Sequence, residues 1–228
     1  MFDCHAHLTD SSLQEGLGLD ARLNEAEAAG VTGIVTVSES LVDARQVLEL
    51  CERVNADPFR RLRLHASIGM HPAKADLDTL EGMLKLIDDN SELIVCVGEV
   101  GLDYSRHVIG ATGHACERAK EVQREVFGRQ ARCAEELGLA VNVHSRSAGH
   151  HAITLLREAG ISRAVLHAFD GKPKYALEAA KGGYYFSVPP IVCRSESFQK
   201  VVKTVPLESL LLETDSPALV RPCSWLLR

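Results

Sequence analysis

The chain has no apolar run approaching the roughly 20 residues needed to span a bilayer, so no transmembrane helix is expected. Its N-terminus has no charged segment leading into an apolar stretch, so no signal peptide is expected. The expected setting is intracellular, cytoplasmic or nuclear, with no membrane and no specific protein partner. None of the seven cysteines lie as Cys-x-x-Cys. Their odd number and scatter argue against a zinc finger or a disulfide framework. Cys4, Cys96 and Cys193, in or beside apolar runs, read as reduced, mostly buried thiols. Gly-rich nucleotide loops, a Walker motif and a serine nucleophile elbow are also missing. Low-complexity stretches and Pro/Gly/Ser-rich linkers are absent, and 228 residues suffice for one large core. Positive charge is scarce: the net charge of −6 argues against a broad nucleic-acid-binding face. It leaves room for nuclease action at a local site, because metal cations can supply the positive potential a phosphate needs.

What is present is a repeated alternation of apolar, strand-like runs and amphipathic segments. Strands are expected at Phe2–Leu8, Val31–Val37, Leu62–Met70, Leu93–Leu102, Ala140–His144, Ala164–Phe169, Tyr184–Val188 and Leu210–Glu213. Helices are expected at Asp20–Gly30, Leu41–Asn55, Ala75–Asp89, Cys116–Gly138, Ala148–Gly160, Pro173–Gly182 and Ser195–Val205. Gly30, Gly138, Gly160 and Gly182 stand where helix C-caps would fall. Continuous apolar strands such as Leu93-Ile94-Val95-Cys96-Val97 suit a parallel sheet covered by helices. The pattern predicts an α/β protein, a (β/α)8 TIM barrel with its site at the C-terminal strand ends. A doubly wound open sheet is the alternative.

Polar, chemistry-bearing residues gather at those strand ends. His5 and His7, one residue apart on a strand, point to one face and can reach one ion; otherwise they are two histidines on an edge strand. Asp3 can orient a ligand histidine or cap the start of the strand. Glu99 ends an apolar run, where a carboxylate can bridge two cations. Asp103 is either functional or a solvated loop residue. His144 and His167 end successive strands and together fit a second cation site. Arg146 can hold a phosphate or carboxylate, or face water. Asp215 can bind a cation and take a proton from bound water, or cap the turn begun by Ser216-Pro217. His71, before Pro72, can donate to a phosphate oxygen or a leaving group. His65, His107, His114, His150 and His151 read as surface or packing residues. Mixed imidazole and carboxylate ligands suit zinc or manganese better than calcium, and magnesium less well.

Six ordered motifs together resemble the TatD family of metal-dependent deoxyribonucleases. They are Asp3-Cys4-His5-Ala6-His7-Leu8, Gly69-Met70-His71-Pro72, Gly98-Glu99-Val100-Gly101-Leu102-Asp103, Asn142-Val143-His144-Ser145-Arg146, Leu166-His167-Ala168-Phe169 and Glu213-Thr214-Asp215-Ser216-Pro217. Around His144 and His167 the likeness is to the third vertebrate TatD-domain branch. The resemblance implies a metal-dependent-hydrolase barrel with two divalent cations, zinc, manganese or magnesium. It implies that His5, His7, Glu99 and Asp215 hold the first ion. It implies that Glu99, His144 and His167 hold the second, with Asp215 as base and His71 on the scissile phosphate. It implies DNA as substrate, with phosphodiester hydrolysis often from an end. A metallo-amidohydrolase acting on amide or ester bonds is the rival enzyme, although Glu99 stands where many of that superfamily carry a modified lysine. A non-catalytic, truncated form is the rival outside enzymes.

The resemblance also divides the chain into a barrel, 1–217, and a divergent tail, 218–228. The family would continue past Pro217 with a polar loop and a last helix over strands eight and one, which the seven helical segments do not supply. Covering those strands is worth roughly 10–15 kcal/mol as an upper estimate, against a total stability of about 5–15 kcal/mol. The expectation is a chain that folds poorly or is capped by Trp225, Leu226 and Leu227.

Overall fold

The computed structural model describes residues 1–14 and 18–218. Beyond Ala218 the tail, with Trp225, Leu226 and Leu227 expected to cap the barrel, lies outside the described residues. Eight strands form one parallel sheet in sequence order. They are β1 (Phe2–Ala6), β2 (Gly33–Val37), β3 (Arg63–Ile68), β4 (Ile94–Gly101), β5 (Ala140–His144), β6 (Ala164–Leu166), β7 (Tyr185–Val188) and β8 (Leu210–Leu212). The described helices are α1 (Gly18–Ala28), α2 (Leu41–Asn55), α3 (Leu77–Asp89), α4 (Arg106–Ile109), α5 (His114–Glu136), α6 (Gly149–Glu158), α7 (Pro173–Lys181) and α8 (Glu196–Val202). The sheet curls into a (β/α)8 barrel. No helix among the described residues is long and apolar enough to cross a membrane.

Local chemistry explains the elements. The β2 sequence Gly-Ile-Val-Thr-Val is buried throughout, as a strand covered on both faces requires. Helix α2 starts where the Ser40 hydroxyl accepts from Asp43 N–H, while Asp43 accepts from Glu39 N–H in return. In α3, Leu80, Met83 and Ile87 recur at helical spacing and bury the inner face. Asp76 caps it by accepting from Asp78 N–H and the Thr79 hydroxyl.

Most predicted elements are in place, with several shorter strands. The β6 run stops at Leu166 because Ala168 turns out of the strand at φ 39°. A short helix, α4, and four 3-10 turns at Ser11–Gln14, Pro72–Lys74, Pro190–Cys193 and Leu207–Ser209 have no counterpart among the predicted helices. The cap expected at Gly182 is displaced: Gly182 has φ −84° and Gly183 takes the left-handed conformation at φ 95°. Cys193, expected among the buried thiols, is exposed on the Pro190–Cys193 turn, whereas Cys4 and Cys96 are buried.

The barrel closes between β8 and β1 by few bonds. Asp215 N–H donates to His5 O at 3.0 Å and His7 N–H to Ser216 O at 2.8 Å. Asp3 adds a side-chain clasp, accepting from Thr214 N–H at 3.0 Å and the Thr214 hydroxyl at 2.7 Å. On the outer side of this seam Phe2 and Leu212 are exposed among the described residues.

Candidate metal centre

Glu99 is the hub of the site. It sits in β4, buried, with its N–H donating to Ser38 O at 3.1 Å. Its two oxygens face different partners. Oε2 lies 2.9 Å from His5 Nε2 and 3.3 Å from His7 Nε2. Oε1 lies 2.8 Å from His144 Nδ1, 3.1 Å from His71 Nε2 and 3.6 Å from His167 Nε2. Asp215 joins the first set, with Oδ1 3.4 Å from His7 Nε2 and 3.7 Å from His5 Nε2. His167 stands between the two sets: its ring stacks on His5 at 3.8 Å and its Nε2 lies 3.1 Å from His144 Nδ1. Donor groups close enough to hold a cation are His5, His7 and Glu99; His71, Glu99 and His144; and His5, His167 and Asp215.

The hydrogen bonds determine which imidazole nitrogens carry lone pairs. The Asn142 amide donates to Cys4 O at 3.2 Å, so its oxygen faces His5 Nδ1 at 3.0 Å. Neutral His5 is therefore protonated on Nδ1 and aims a bare Nε2 at the carboxylates. His144 Nε2 lies 3.3 Å from Asp103 Oδ2, which in the neutral ring leaves Nδ1 bare toward Glu99. His71 is the opposite case. Its Nδ1 accepts from Ala73 N–H at 3.0 Å, so Nε2 carries the proton and points at Glu99 Oε1.

This arrangement fits a cation. Glu99 Oε2 is buried and no hydrogen bond reaches it, although His5 Nε2 is only 2.9 Å away. Two lone pairs at that distance repel unless a positive charge lies between them, and imidazole nitrogen with carboxylate oxygen is a zinc- or manganese-type donor set. Without a cation, the positive charge falls to protonated imidazoles. Burial pushes Glu99 up, but His167, His71 and His5 more than offset it and hold the carboxyl well below its usual range. Burial pulls His7 down, but the neighbouring Asp215 and Glu99 carboxylates lift it to about 10. His144 and His167 are also raised, against burial, by Asp103 and Glu99 and by Glu99 and Glu213 respectively.

All the predicted metal-ligand candidates and His71 meet here. Asp103 is buried rather than solvated and holds His144, while the Ser105 backbone and hydroxyl donate to it. Asp3 does not orient a histidine ring. It accepts from His5 N–H at 3.2 Å and clasps Thr214, and the ring-orienting role at His5 falls to Asn142. Arg146 is exposed and lines a cleft of about 170 Å³ with His144, Ser145, His167, Asp170 and Phe198.

Sequence reasoning missed several supporting residues. Asn142 carried the same two-residue spacing to His144 that marked His5 and His7. Gln123 and Gln130, two buried amides on the apolar face of α5, each clamp a loop. Gln130 accepts from Met70 N–H at 2.8 Å and donates to Met70 O at 3.4 Å. Gln123 accepts from Asp103 N–H at 2.9 Å and donates to Asp103 O at 3.1 Å. Buried Glu213 accepts from Ala168 N–H at 3.0 Å and from the Ser187 hydroxyl.

Residues 2–223 match the model of the TatD-related DNase family. The human protein named deoxyribonuclease TATDN3 is 41% identical over 222 residues, which cover 96% of this chain and 78% of that protein. A Bacillus subtilis protein described as an uncharacterized metal-dependent hydrolase, YabD, is 32% identical over 225 residues, 96% of this chain and 81% of its own length. The crystal structure of YJJV, a TatD homologue from Escherichia coli, superposes with a TM-score of 0.79 at 28% identity, covering 96% of this chain and 80% of that one. The chain belongs to the TatD family of metal-dependent hydrolases.

Proposed function

We propose that this chain is a deoxyribonuclease that hydrolyses DNA phosphodiesters with two divalent cations. The observation that carries the reading is Glu99, one carboxylate with an oxygen turned to each of two histidine sets. His5, His7, Glu99 and Asp215 would hold one cation; Glu99, His144 and His167 would hold the other. Bound there, the cations would supply Lewis-acid activation of a water and charge against the phosphate. Asp215, held below the ordinary carboxylate range by His7 despite burial, is ionised and can take the water's proton. His71 cannot serve as a ligand in its present tautomer, since Ala73 N–H occupies Nδ1 and the proton sits on Nε2. It is a donor instead, suited to a phosphate oxygen or to the leaving oxygen. Arg146, exposed over the adjoining cleft, can pair with a second phosphate oxygen.

The test is release of nucleotides from DNA by the purified chain with zinc, manganese or magnesium, alongside Asp215→Asn and Glu99→Gln. Loss of general-base function should cost about 10²–10⁴-fold in rate. Turnover of an amide or carboxylic ester with none of DNA would sink the reading in favour of an amidohydrolase.

A further inference from the structure

Four rings with no role in the metal centre form a row on the same mouth of the barrel. Tyr104 lies 5.5 Å from His151, His151 3.8 Å from His150, and His150 5.4 Å from Tyr175, centroid to centroid. Tyr104 follows β4, and the others open α6 and α7. His150 and His151 are exposed; Tyr104 and Tyr175 are half-buried. Cations flank both ends. Lys120 sits 5.6 Å from the Tyr104 ring, Arg124 donates to the Tyr104 hydroxyl at 3.3 Å, and Lys174 lies 4.7 Å over Tyr175. Lys120 is paired with Glu117 at 2.8 Å, but Arg124, Arg146 and Lys174 form no ion pair with a described residue. In a chain of net charge −6, that is a local concentration of cations outside direct ion pairs, with Asp170 near Arg146 and Glu117 near Arg124. It is felt at His151, which burial, and then His150, Arg124 and Lys120, hold below its ordinary value.

The row is continuous with the metal centre. Tyr104 N–H donates to Arg146 O at 3.0 Å, Asp103 beside it holds His144, and Arg146 shares a cleft with His144 and His167. We propose that Tyr104, His151, His150 and Tyr175, with Arg124 and Lys174, form a stacking track for the unpaired bases of a DNA single strand whose backbone leads to the metal centre. Accessible aromatic rings serve bases that are not already stacked on neighbours in a duplex, and cations beside them answer the phosphates. The proposal rests on the deoxyribonuclease reading and adds where the rest of the strand lies.

The probe is a labelled phosphorothioate oligothymidylate of about 12 nucleotides, the site-size range of single-strand binders, compared with the dinucleotide of the same linkage. Binding to the metal-loaded chain is read by fluorescence anisotropy. The longer strand should bind at least about tenfold more tightly than the dinucleotide, and His150→Ala/His151→Ala should lower that ratio about fivefold or more, the effect of losing one stacking ring. His150→Phe keeps a ring and should keep the ratio. A ratio unchanged in the double variant, with its cooperative melt intact, overturns the track. If the double variant does not melt cooperatively, Lys174→Gln carries the test: the slope of log affinity against log salt should fall by about 0.7, and an unchanged slope overturns the proposal. Length-dependent binding without DNA cleavage would sink the hydrolase reading and leave the track standing. Cleavage without length-dependent binding would sink the track alone.

Discussion

Asn142 should govern affinity for the first cation without touching it. Its amide oxygen holds the proton of His5 on Nδ1, which keeps the Nε2 lone pair turned toward Glu99 and Asp215. Replacing Asn142 with Leu leaves His5 Nδ1–H and Cys4 O without partners in a buried place, about 1–3 kcal/mol for each. Free of its partner, the ring can also protonate on Nε2 and present a donor where a ligand is needed. Loss of such an orienting contact typically costs 10–100-fold in metal affinity, about 1.4–2.7 kcal/mol. Asn142→Asp separates the two effects. It gives up the bond to Cys4 O but still offers His5 Nδ1–H an acceptor, now charged, so it should lose stability yet keep metal affinity. The assay is competition titration of zinc or manganese against a chelator of known affinity, with a thermal melt of each metal-free variant. Equal loss of affinity in Leu and Asp would refute the tautomer argument and reduce Asn142 to a packing residue.

Proton competition gives a second prediction. His7, raised to about 10 from an ordinary 6.5, and His167, raised well above it, hold protons at neutral pH in the metal-free protein, and His144 is shifted in the same direction. Their stabilising contribution is therefore complete below about 6.5 and lost as pH rises toward 10. The metal-free melt should fall across that window, while metal affinity should rise and binding at pH 7 should release protons; calorimetry in buffers of different ionisation enthalpy measures the release, and none would contradict the assignment. Gln130→Leu leaves Met70 N–H and O unpaired, about 1–3 kcal/mol each, and should lower the melt while raising the Michaelis constant for DNA through a displaced His71; steady-state kinetics beside a melt decide it. Gly101→Ala should be among the most damaging single changes in the barrel, because Gly101 has φ 147° and a Cβ would fall 2.0 Å from His144 O; soluble yield and melting temperature check it, and a variant melting like the parent would refute the clash.

The barrel was legible because its signals were periodic and repeated. The run Ala140–His144 and the helix Leu41–Asn55 coincide with the observed elements, since each is bounded by an abrupt change in hydropathy and, for the helix, by the Ser40 cap. The polar residues that stop apolar runs were legible for the same reason: Glu99, His144 and His167 end stretches whose side chains are mostly buried. What stayed hidden depends on contacts between distant segments. Asn142 reaches His5 across 137 positions of sequence, and Gln130 reaches Met70 across 60. Nothing local to an amide says whether it will meet a loop backbone or face water. The direction of each oxygen of Glu99 was likewise unreadable, because it follows from the register of β4 between β3 and β5. Asp3 illustrates the opposite error: its place beside His5 in sequence invited an orienting role, but its carboxylate turns to Thr214, just past β8.

That turn joins stability to chemistry. The seam between β8 and β1 is held by the backbones of His5, His7, Asp215 and Ser216 and by the clasp of Asp3 on Thr214. Three of those residues, His5, His7 and Asp215, also point side chains at Glu99 or at one another. Closing the barrel and assembling half of the metal centre are therefore the same set of contacts. Asp215 sits at φ 50°, a conformation rare for a residue with a side chain, and its N–H is committed to His5 O. A residue placed so unusually is held by what surrounds it, and here its surroundings are the proposed ligands of the cation it would share. A cation held by His5 and His7 on one side and Asp215 on the other would tie the two seam strands together, while its absence leaves the Glu99 and Asp215 carboxylates balanced only by protonated imidazoles. Cation binding should thus act on the fold at its most sparsely bonded joint, which makes the seam, rather than the densely paired β2–β5 side of the sheet, the place where metal and stability are coupled.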